Sequence, residues 1–125
     1  MRLMPMGLTV AAGAVALLAF APQAVSAPNP DGERLYSQKC AMCHRLNGST
    51  SLGPSLRGVY GRKAGQASGY AYSAAMLKSG LSWNAQTLDN YLASPTKVVR
   101  GGKMVLAVPG AGDRAAIIGY LETLD

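Results

Sequence analysis

The stretch Cys40-Ala41-Met42-Cys43-His44 contains both cysteines and the single histidine of this 125-residue chain. Two thiols three positions apart can form thioether bonds to the two vinyl groups of one haem, and the adjacent imidazole can bind the iron from the same side. These residues therefore predict a covalent c-type haem site in which Cys40 and Cys43 attach the cofactor and His44 is the first axial ligand.

Other kinds of site share the Cys-x-x-Cys spacing. A thioredoxin-like dithiol requires a βαβ setting, and no strand-like run flanks the motif. A structural zinc site needs about four nitrogen or sulfur ligands, and the cysteines and histidine of this chain supply fewer. A disulfide or a redox dithiol remains an alternative, but either one leaves His44 without a role.

The first residues have the composition of an export signal. Arg2 gives the positive charge, residues 7–20 the apolar core, and Val25-Ser26-Ala27 the small-residue cleavage region. The apolar run before Pro22 has about 14 residues, fewer than the roughly 20 that span a bilayer. We therefore expect a signal peptide over residues 1–27, cleaved after one of its last two residues, and a periplasmic protein. An uncleaved membrane anchor is the alternative.

The remaining residues, 28–125, are predicted to form one domain. A domain of this size buries a modest core, and its aromatic residues are one tryptophan and six tyrosines. We expect haem to supply the missing apolar mass, so that the haem-free chain folds poorly.

The chain is moderately basic, with 12 Lys and Arg against 6 Asp and Glu. The charges are scattered and include no nucleic-acid motif. Such a surface suits transient docking to acidic partner proteins, because electrostatic steering raises the association rate. Simple solubility is the alternative explanation.

Helix signals recur along the chain without a convincing strand pattern, which predicts an all-α fold of about four short helices and long loops. The predicted helices start at Asn29 as N-cap and run into Cys40, span Ser73 to Lys78, follow Asn84 and end at Ser94 before Pro95, and start near Asp113. Residues 45–69 have no periodic pattern and are predicted to wrap the haem. Gly32 is costly in a helix and indicates a close crossing of the first and last helices, with Gly119 as the candidate opposing surface.

The second axial ligand separates a carrier from a catalyst. The candidates are Met42, Met76, Met104, a lysine or water. Met42 lies between the anchoring cysteines and cannot reach the opposite face, and Met76 is explained by packing in a short apolar helix. Met104 is favoured because it follows the flexible residues 100–102, which allow a loop to cross the ring. A thioether ligand favours Fe(II), raises the reduction potential and blocks oxygen chemistry.

Further motifs follow in order: Gly32 and Tyr36, Gly53-Pro54, Gly61-Arg62-Lys63-Ala64-Gly65-Gln66, Gly69-Tyr70-Ala71-Tyr72-Ser73, Trp83, Thr87-Leu88-Asp89-Asn90-Tyr91-Leu92, Pro95 and Lys103-Met104. Together with residues 40–44 they make essentially the whole mature region similar to the class I, mitochondrial-type cytochrome c family, particularly its soluble bacterial periplasmic members. The resemblance implies the cytochrome c fold, with one covalent haem and crossing terminal helices. It also implies an electron carrier that is not an enzyme.

The resemblance also implies roles for single residues. Pro54 should accept the His44 N–H through its carbonyl, Tyr91 should lie beside the Met104 sulfur, and Leu92 should lie against the ring. The haem propionates should be contacted by Arg62, Tyr72 and Trp83.

A basic ring around the haem edge is implied for Lys39, Lys63, Lys97 and Lys103. The implied partners are redox proteins with acidic docking surfaces, such as a membrane cytochrome complex, an oxidase, a dehydrogenase or a reaction centre, and the implied state is a monomer.

The chain departs from the family pattern at Arg100-Gly101-Gly102, where Pro-Gly-Thr is usual, and at Met76, where Asn is usual. The first change makes the Met104 loop easier to open. The predicted function is a monohaem c-type one-electron carrier between periplasmic or membrane redox partners, such as those of a respiratory chain, with His44 and Met104 as axial ligands. The alternatives are a peroxidase-like or gas-binding haem protein, if Met104 leaves the iron, and a thiol-redox protein without haem.

Overall fold

The computed structural model describes residues 29–125, so the predicted signal peptide lies outside the described residues. The described helices are α1 Pro30–Lys39, α2 Ala74–Lys78, α3 Ala85–Ala93, α4 Pro95–Val98 and α5 Ala111–Glu122. β-Structure in this range consists of one isolated bridge between Lys63 and Ser82. The all-α prediction is confirmed. None of these helices has the length and apolar character needed to cross a bilayer.

Three helices begin at side-chain caps, of which Asn29 and Asn84 were predicted as caps and Ser73 as the first residue of its helix. Asn29, Ser73 and Asn84 each accept a hydrogen bond from a backbone N–H two or three residues later, at 2.9 to 3.1 Å. Each of these bonds satisfies a backbone donor that has no partner within its helix. The starts of α1, α2 and α3 are therefore fixed by local chemistry.

The third and last predicted helices differ in detail from the structure. Pro95 ends α3 as expected, but it is also the first residue of α4, a single further turn. Proline suits that position because its fixed φ is helical and its missing N–H would be unpaired there. α5 starts at Ala111, two residues before the predicted Asp113, which lies in its first turn near the positive end of the helix.

The main core lies where α5 packs against both α1 and α3. Ile117 of α5 is fully buried and Leu121 almost so. The rings of Tyr36 on α1 and Tyr120 on α5 are 5.3 Å apart. The predicted packing of the N- and C-terminal helices against each other is confirmed.

Gly32 lies at the closest approach of α1 and α5. A Cβ at this position would lie 2.9 Å from the Tyr120 Cβ and closer still to the Ala116 carbonyl oxygen. Gly119 differs, because a Cβ there would meet no other heavy atom within 4 Å. The expectation that Gly119 lies in the crossing is therefore wrong.

Gly32→Ala should lower the free energy of unfolding by about 1–3 kcal/mol, because the added methyl group forces the two helix backbones apart. Denaturant unfolding of the haem-containing protein measures the change. Gly119→Ala is the matched control and should stabilise by up to about 1 kcal/mol, since alanine is the better helix former and the space is open. Equal effects at the two positions would contradict a crossing built on Gly32.

The long connection between α1 and α2 is held both by hydrogen bonds from side chains to the backbone and by bonds between backbone groups. The Ser49 hydroxyl donates to the Ser68 carbonyl at 2.7 Å and accepts from the Ser55 N–H at 3.0 Å. The Gly58 N–H donates to the Leu124 carbonyl at 2.5 Å, which fastens the loop to the C-terminal end. These bonds hold the loop along one side of a cavity.

Candidate functional site

A cavity of about 320 Å³ lies between this loop, α3, α5 and the segment that contains Met104. Its volume falls in the range of ligand and cofactor sites, roughly 300–1,000 Å³. Every residue that the sequence assigned to the site lines it: Cys40, Cys43, His44, Pro54, Arg62, Tyr72, Trp83, Tyr91, Leu92 and Met104.

Much of the wall comes from apolar residues that were not predicted as site residues: Leu56, Val59, Leu88, Val108, Ile117 and Leu121. Val59 and Val108 lie in loops, where no periodicity marks an inward-facing position. Ile117 and Leu121 belong to the last helix, which was predicted to cross the first, and they also line the cavity. The available signal was the small number of aromatic residues, which indicated that haem would complete the core but not which side chains would contact it.

The attachment motif forms one tight turn at the end of α1. The N–H groups of Cys43 and His44 both donate to the Cys40 carbonyl, at 3.1 and 2.8 Å. This turn brings both thiols and the imidazole to the same cavity. Both cysteines are free in the structure, so the disulfide alternative is not supported.

The surroundings of Cys40 do not favour a reactive dithiol. Burial, opposed by the charge of Lys39, raises the pKa of the Cys40 thiol to about 11. Reactive dithiols need a lowered pKa, because the thiolate is the nucleophile. Cys40 is therefore unlike the attacking cysteine of a thiol-redox protein.

His44 is held in a fixed tautomer. Its Nδ1 is 2.9 Å from the Pro54 carbonyl oxygen and donates to it, which leaves Nε2 as the lone-pair nitrogen for a metal. Burial lowers the pKa of the imidazole, partly offset by the bond to Pro54. The ring also needs Gly53, because a Cβ there would lie 2.8 Å from its Cε1 and Nδ1 atoms. The Tyr36 hydroxyl donates to the His44 carbonyl oxygen.

The three methionines considered as second ligands differ in position. Met42 is 83% exposed and does not line the cavity. Met76, on α2, and Met104, on the segment between α4 and α5, both line it. The cavity therefore offers two thioethers, and the one at residue 104 lies outside any helix.

Arg62 supplies an unpaired donor at the cavity wall. Its Nη1 and Nη2 donate to the carbonyls of Arg57 and Ser55 at 2.9 and 3.2 Å, but its Nε is buried without a partner. A buried unpaired donor costs about 1–3 kcal/mol, and an anionic group in the cavity would remove this cost. The Tyr72 hydroxyl accepts from the Ala67 N–H at 3.1 Å, which leaves its own proton for another acceptor.

Trp83 and Tyr91 form an aromatic pair on the wall, with ring centroids 5.0 Å apart. Burial, together with the nearby Tyr70, raises the pKa of Tyr91 to about 12. Tyr91 is therefore a neutral phenol at any physiological pH, and it can donate a hydrogen bond without adding charge to the apolar cavity.

The donor set fits a covalently attached haem. Two thiols, an imidazole with a free nitrogen and a thioether line one apolar cavity, and an unpaired guanidinium nitrogen matches a carboxylate. Three exposed lysines, Lys39, Lys63 and Lys103, also line it, whereas Lys97 does not. Three of the four lysines assigned to the basic ring are thus brought together at this site.

Comparison with known proteins agrees with this geometry. The family model described as cytochrome c matches residues 30–125. Cytochrome c2 iso-2 of Magnetospirillum molischianum is 49% identical over 87 residues, covering 68% of this chain and 90% of the relative. Cytochrome c2 of Rhodopila globiformis is 45% identical over 106 residues, covering 79% and 98%.

A solved structure shows the same fold. Cytochrome cH from Methylobacterium extorquens superimposes with a TM-score of 0.70 at 42% sequence identity. The match covers 74% of this chain and 95% of that one.

Proposed function

The chain belongs to the cytochrome c family and is an electron carrier with one covalent haem c, not an enzyme, and on that premise we propose that His44 and Met104 are its axial ligands. Cys40 and Cys43 are the attachment points. The observation that carries this proposal is that both thiols, the imidazole and the Met104 thioether line one apolar cavity.

The haem supplies a one-electron Fe(III)/Fe(II) couple when bound. The chain sets the conditions for that couple. Pro54 holds the His44 ring in the tautomer that leaves Nε2 free, and Gly53 gives the ring its space. The Met104 sulfur and the apolar wall both favour the reduced, less charged state. Because the same two residues would serve as ligands in the oxidised and the reduced protein, the structural change on electron transfer would be small.

Met104 is preferred to Met76 as the second ligand because the two residues lie in different kinds of backbone. Both side chains pack against the hydrophobic core, but Met76 belongs to α2, whose start is capped by Ser73. Met104 lies outside any helix, beside Val105 and Leu106, so that its side chain can adjust to the iron without unwinding a helix.

Arg62 and Tyr72 are proposed to bind the propionates together with Trp83. The support is the unpaired Arg62 Nε and the free proton of the Tyr72 hydroxyl, both on residues that line the cavity. The Arg62 Nε would donate a charge-assisted hydrogen bond to a propionate, and such a bond is roughly twice as strong as a neutral one. Trp83 adds an indole N–H on the same wall.

We also propose that residues 1–27 are a signal peptide and that the mature protein works in the periplasm. The sequence pattern of residues 1–27 supports this proposal. Mass spectrometry of the exported protein tests it: the mature chain should begin at Ala27 or Pro28 and include the mass of one haem. A full-length chain in the membrane fraction would contradict cleavage.

The partners are proposed to be redox proteins with acidic docking surfaces. The support is the group of exposed lysines at the cavity, Lys39, Lys63 and Lys103. Electrons leave and enter most readily where a partner comes closest to the haem, so positive charge at this place steers an acidic partner to the productive orientation.

This docking proposal predicts a salt effect. Oxidation of the ferrous protein by the anion hexacyanoferrate(III) should slow about two- to tenfold from low to high salt, because screening removes the attraction. Lys39→Glu should reduce this dependence more than Lys78→Glu, the control, since Lys78 is exposed on α2 but does not line the cavity. Stopped-flow spectroscopy measures both. If the oxidation rates of the two variants depend equally on salt concentration, simple solubility is favoured as the role of these charges.

A further inference from the structure

The segment that presents Met104 has little support of its own. Within the described part of the chain, no backbone group of residues 104–107 makes a hydrogen bond. Val105 and Leu106 are 76% and 49% exposed, so these side chains bury little surface against the protein. The Met104 side chain itself packs against the hydrophobic core, but the backbone that carries it is held mainly at the two ends of the segment.

The N-terminal end of the segment is weakly held. The Gly102 N–H donates to the Val99 carbonyl at 3.0 Å, and the exposed Lys103 Nζ donates to the Ala71 carbonyl at 2.5 Å. Gly101 has a φ of +85°, a conformation natural to glycine, and two adjacent glycines add backbone freedom. An exposed lysine contact contributes little because water competes for it.

The C-terminal end is held by a largely buried arginine. Arg114 of α5 donates from Nη1 to the carbonyls of Val108 and Pro109, at 3.0 and 2.8 Å. Its Nε donates to the Asp89 carboxylate on α3 at 2.7 Å. The Arg114 side chain is 12% exposed, against 39% for Asp89. The Val108 N–H also donates to the Leu92 carbonyl at 2.8 Å.

We propose that Arg114, oriented by Asp89, is a positioning residue that holds Met104 in place for the iron. This inference rests on the proposed His44/Met104 ligation. We call this group the Arg114 clamp; it consists of Arg114, Asp89 and the carbonyls of Val108 and Pro109. The clamp joins α3, α5 and the end of the Met104 segment. Since the glycine end is held only by one backbone bond and one exposed lysine contact, the clamp is the stronger of the two restraints that keep the sulfur in place.

The chemistry of the clamp makes it strong. Hydrogen bonds from a charged guanidinium are stronger than neutral ones, and the fork of arginine donors serves three acceptors at once. Because Arg114 is nearly buried, loss of its side chain leaves the Val108 and Pro109 carbonyls without this partner. Loss of the Asp89 charge leaves the arginine in place but less firmly oriented.

Carbon monoxide binding to the ferrous, haem-containing protein tests the clamp, because carbon monoxide can bind only when Met104 has left the iron. Arg114→Gln should speed binding at least tenfold. Asp89→Asn and Arg114→Lys should give smaller increases, of a few-fold. Hydrogen exchange of the Val108 amide should accelerate in the same order, while that of Ile117 in α5 changes much less.

The matched control is Arg34→Gln, which also removes an arginine–aspartate pair. Arg34 contacts Asp31 at 3.3 Å on the exposed face of α1, away from the cavity. The Arg34→Gln variant should leave the rate of carbon monoxide binding and the hydrogen exchange of the Val108 amide unchanged. If Arg114→Gln fails to incorporate haem, the carbon monoxide rates of Asp89→Asn and Arg114→Lys decide the test.

The outcomes separate this inference from the function it rests on. A parent protein that binds carbon monoxide at the rate of an open iron overturns the His44/Met104 ligation and the clamp together. A slow parent with equally slow clamp variants overturns the clamp alone. The clamp is also overturned if its variants unfold at lower denaturant concentration but show neither faster carbon monoxide binding nor faster exchange of the Val108 amide. The Arg114–Asp89 pair would then stabilise the fold without positioning Met104.

Discussion

Met104→Ala should lower the reduction potential by at least about 0.1 V, a modest part of the roughly 0.8 V that axial ligands span in haem proteins. The thioether stabilises Fe(II), and water or hydroxide in its place stabilises Fe(III). The same substitution should open the iron, so that the ferrous protein binds carbon monoxide quickly. Redox titration and flash photolysis measure the two effects.

Met76→Ala is the matched control for Met104, because it also removes a thioether from the cavity wall. It should keep the parent spectrum and the slow reaction with carbon monoxide, with at most a modest loss of stability from the space it leaves. The opposite pattern, an open iron in Met76→Ala and an unchanged one in Met104→Ala, would assign the ligand to Met76. Fast carbon monoxide binding by the parent would favour the gas-binding alternative.

Replacing both Cys40 and Cys43 with serine should abolish haem attachment and with it cooperative folding. The cavity of about 320 Å³ would be left unfilled. At roughly 24 cal/mol per Å³, an empty space of this size costs about 8 kcal/mol. That is comparable to the whole stability of a typical domain, about 5–15 kcal/mol. The haem-free chain should therefore lose its fixed tertiary structure and not merely its colour.

Met42→Ser is the control for the cysteine variant. Met42 lies between the two cysteines but is 83% exposed, so its replacement keeps both thiols and the cavity wall. The control should retain covalent haem in denaturing gels and a cooperative denaturant transition. Near-native, cooperative unfolding of the haem-free cysteine variant would contradict the role of haem as part of the core.

Local sequence chemistry predicted most of the fold because the decisive signals are short-range. Asn29, Ser73 and Asn84 cap their helices with their own side chains, and such caps are visible in sequence. α5 starts earlier than predicted because Gly110, which makes no side-chain cap, is its N-cap. α4 was missed because one proline both ends a helix and begins the next turn.

The candidate site was predictable where chemistry is concentrated in motifs and unpredictable where it depends on tertiary packing. Cys40, Cys43 and His44 of the attachment motif, and the Lys103-Met104 pair, all line the cavity. The apolar wall at Val59 and Val108 was not predicted, because isolated apolar residues in loops have no period. The Arg114–Asp89 pair joins residues on different helices, and nothing in their spacing indicates that they meet. Gly119 was wrongly expected at the helix crossing for the same reason, because the packing of α5 decides which of its faces meets α1.

The most direct test of the central claim is a redox titration of the purified, exported protein with optical and proton NMR spectra recorded in both states. We predict a red protein with one reversible one-electron transition, a low-spin six-coordinate iron in both states, and the strongly shifted methyl resonance of a methionine bound to Fe(II). Loss of that resonance in Met104→Ala, and its retention in Met76→Ala, identifies the residue. A colourless protein, or an iron whose sixth position is occupied by water in the parent, would contradict the claim.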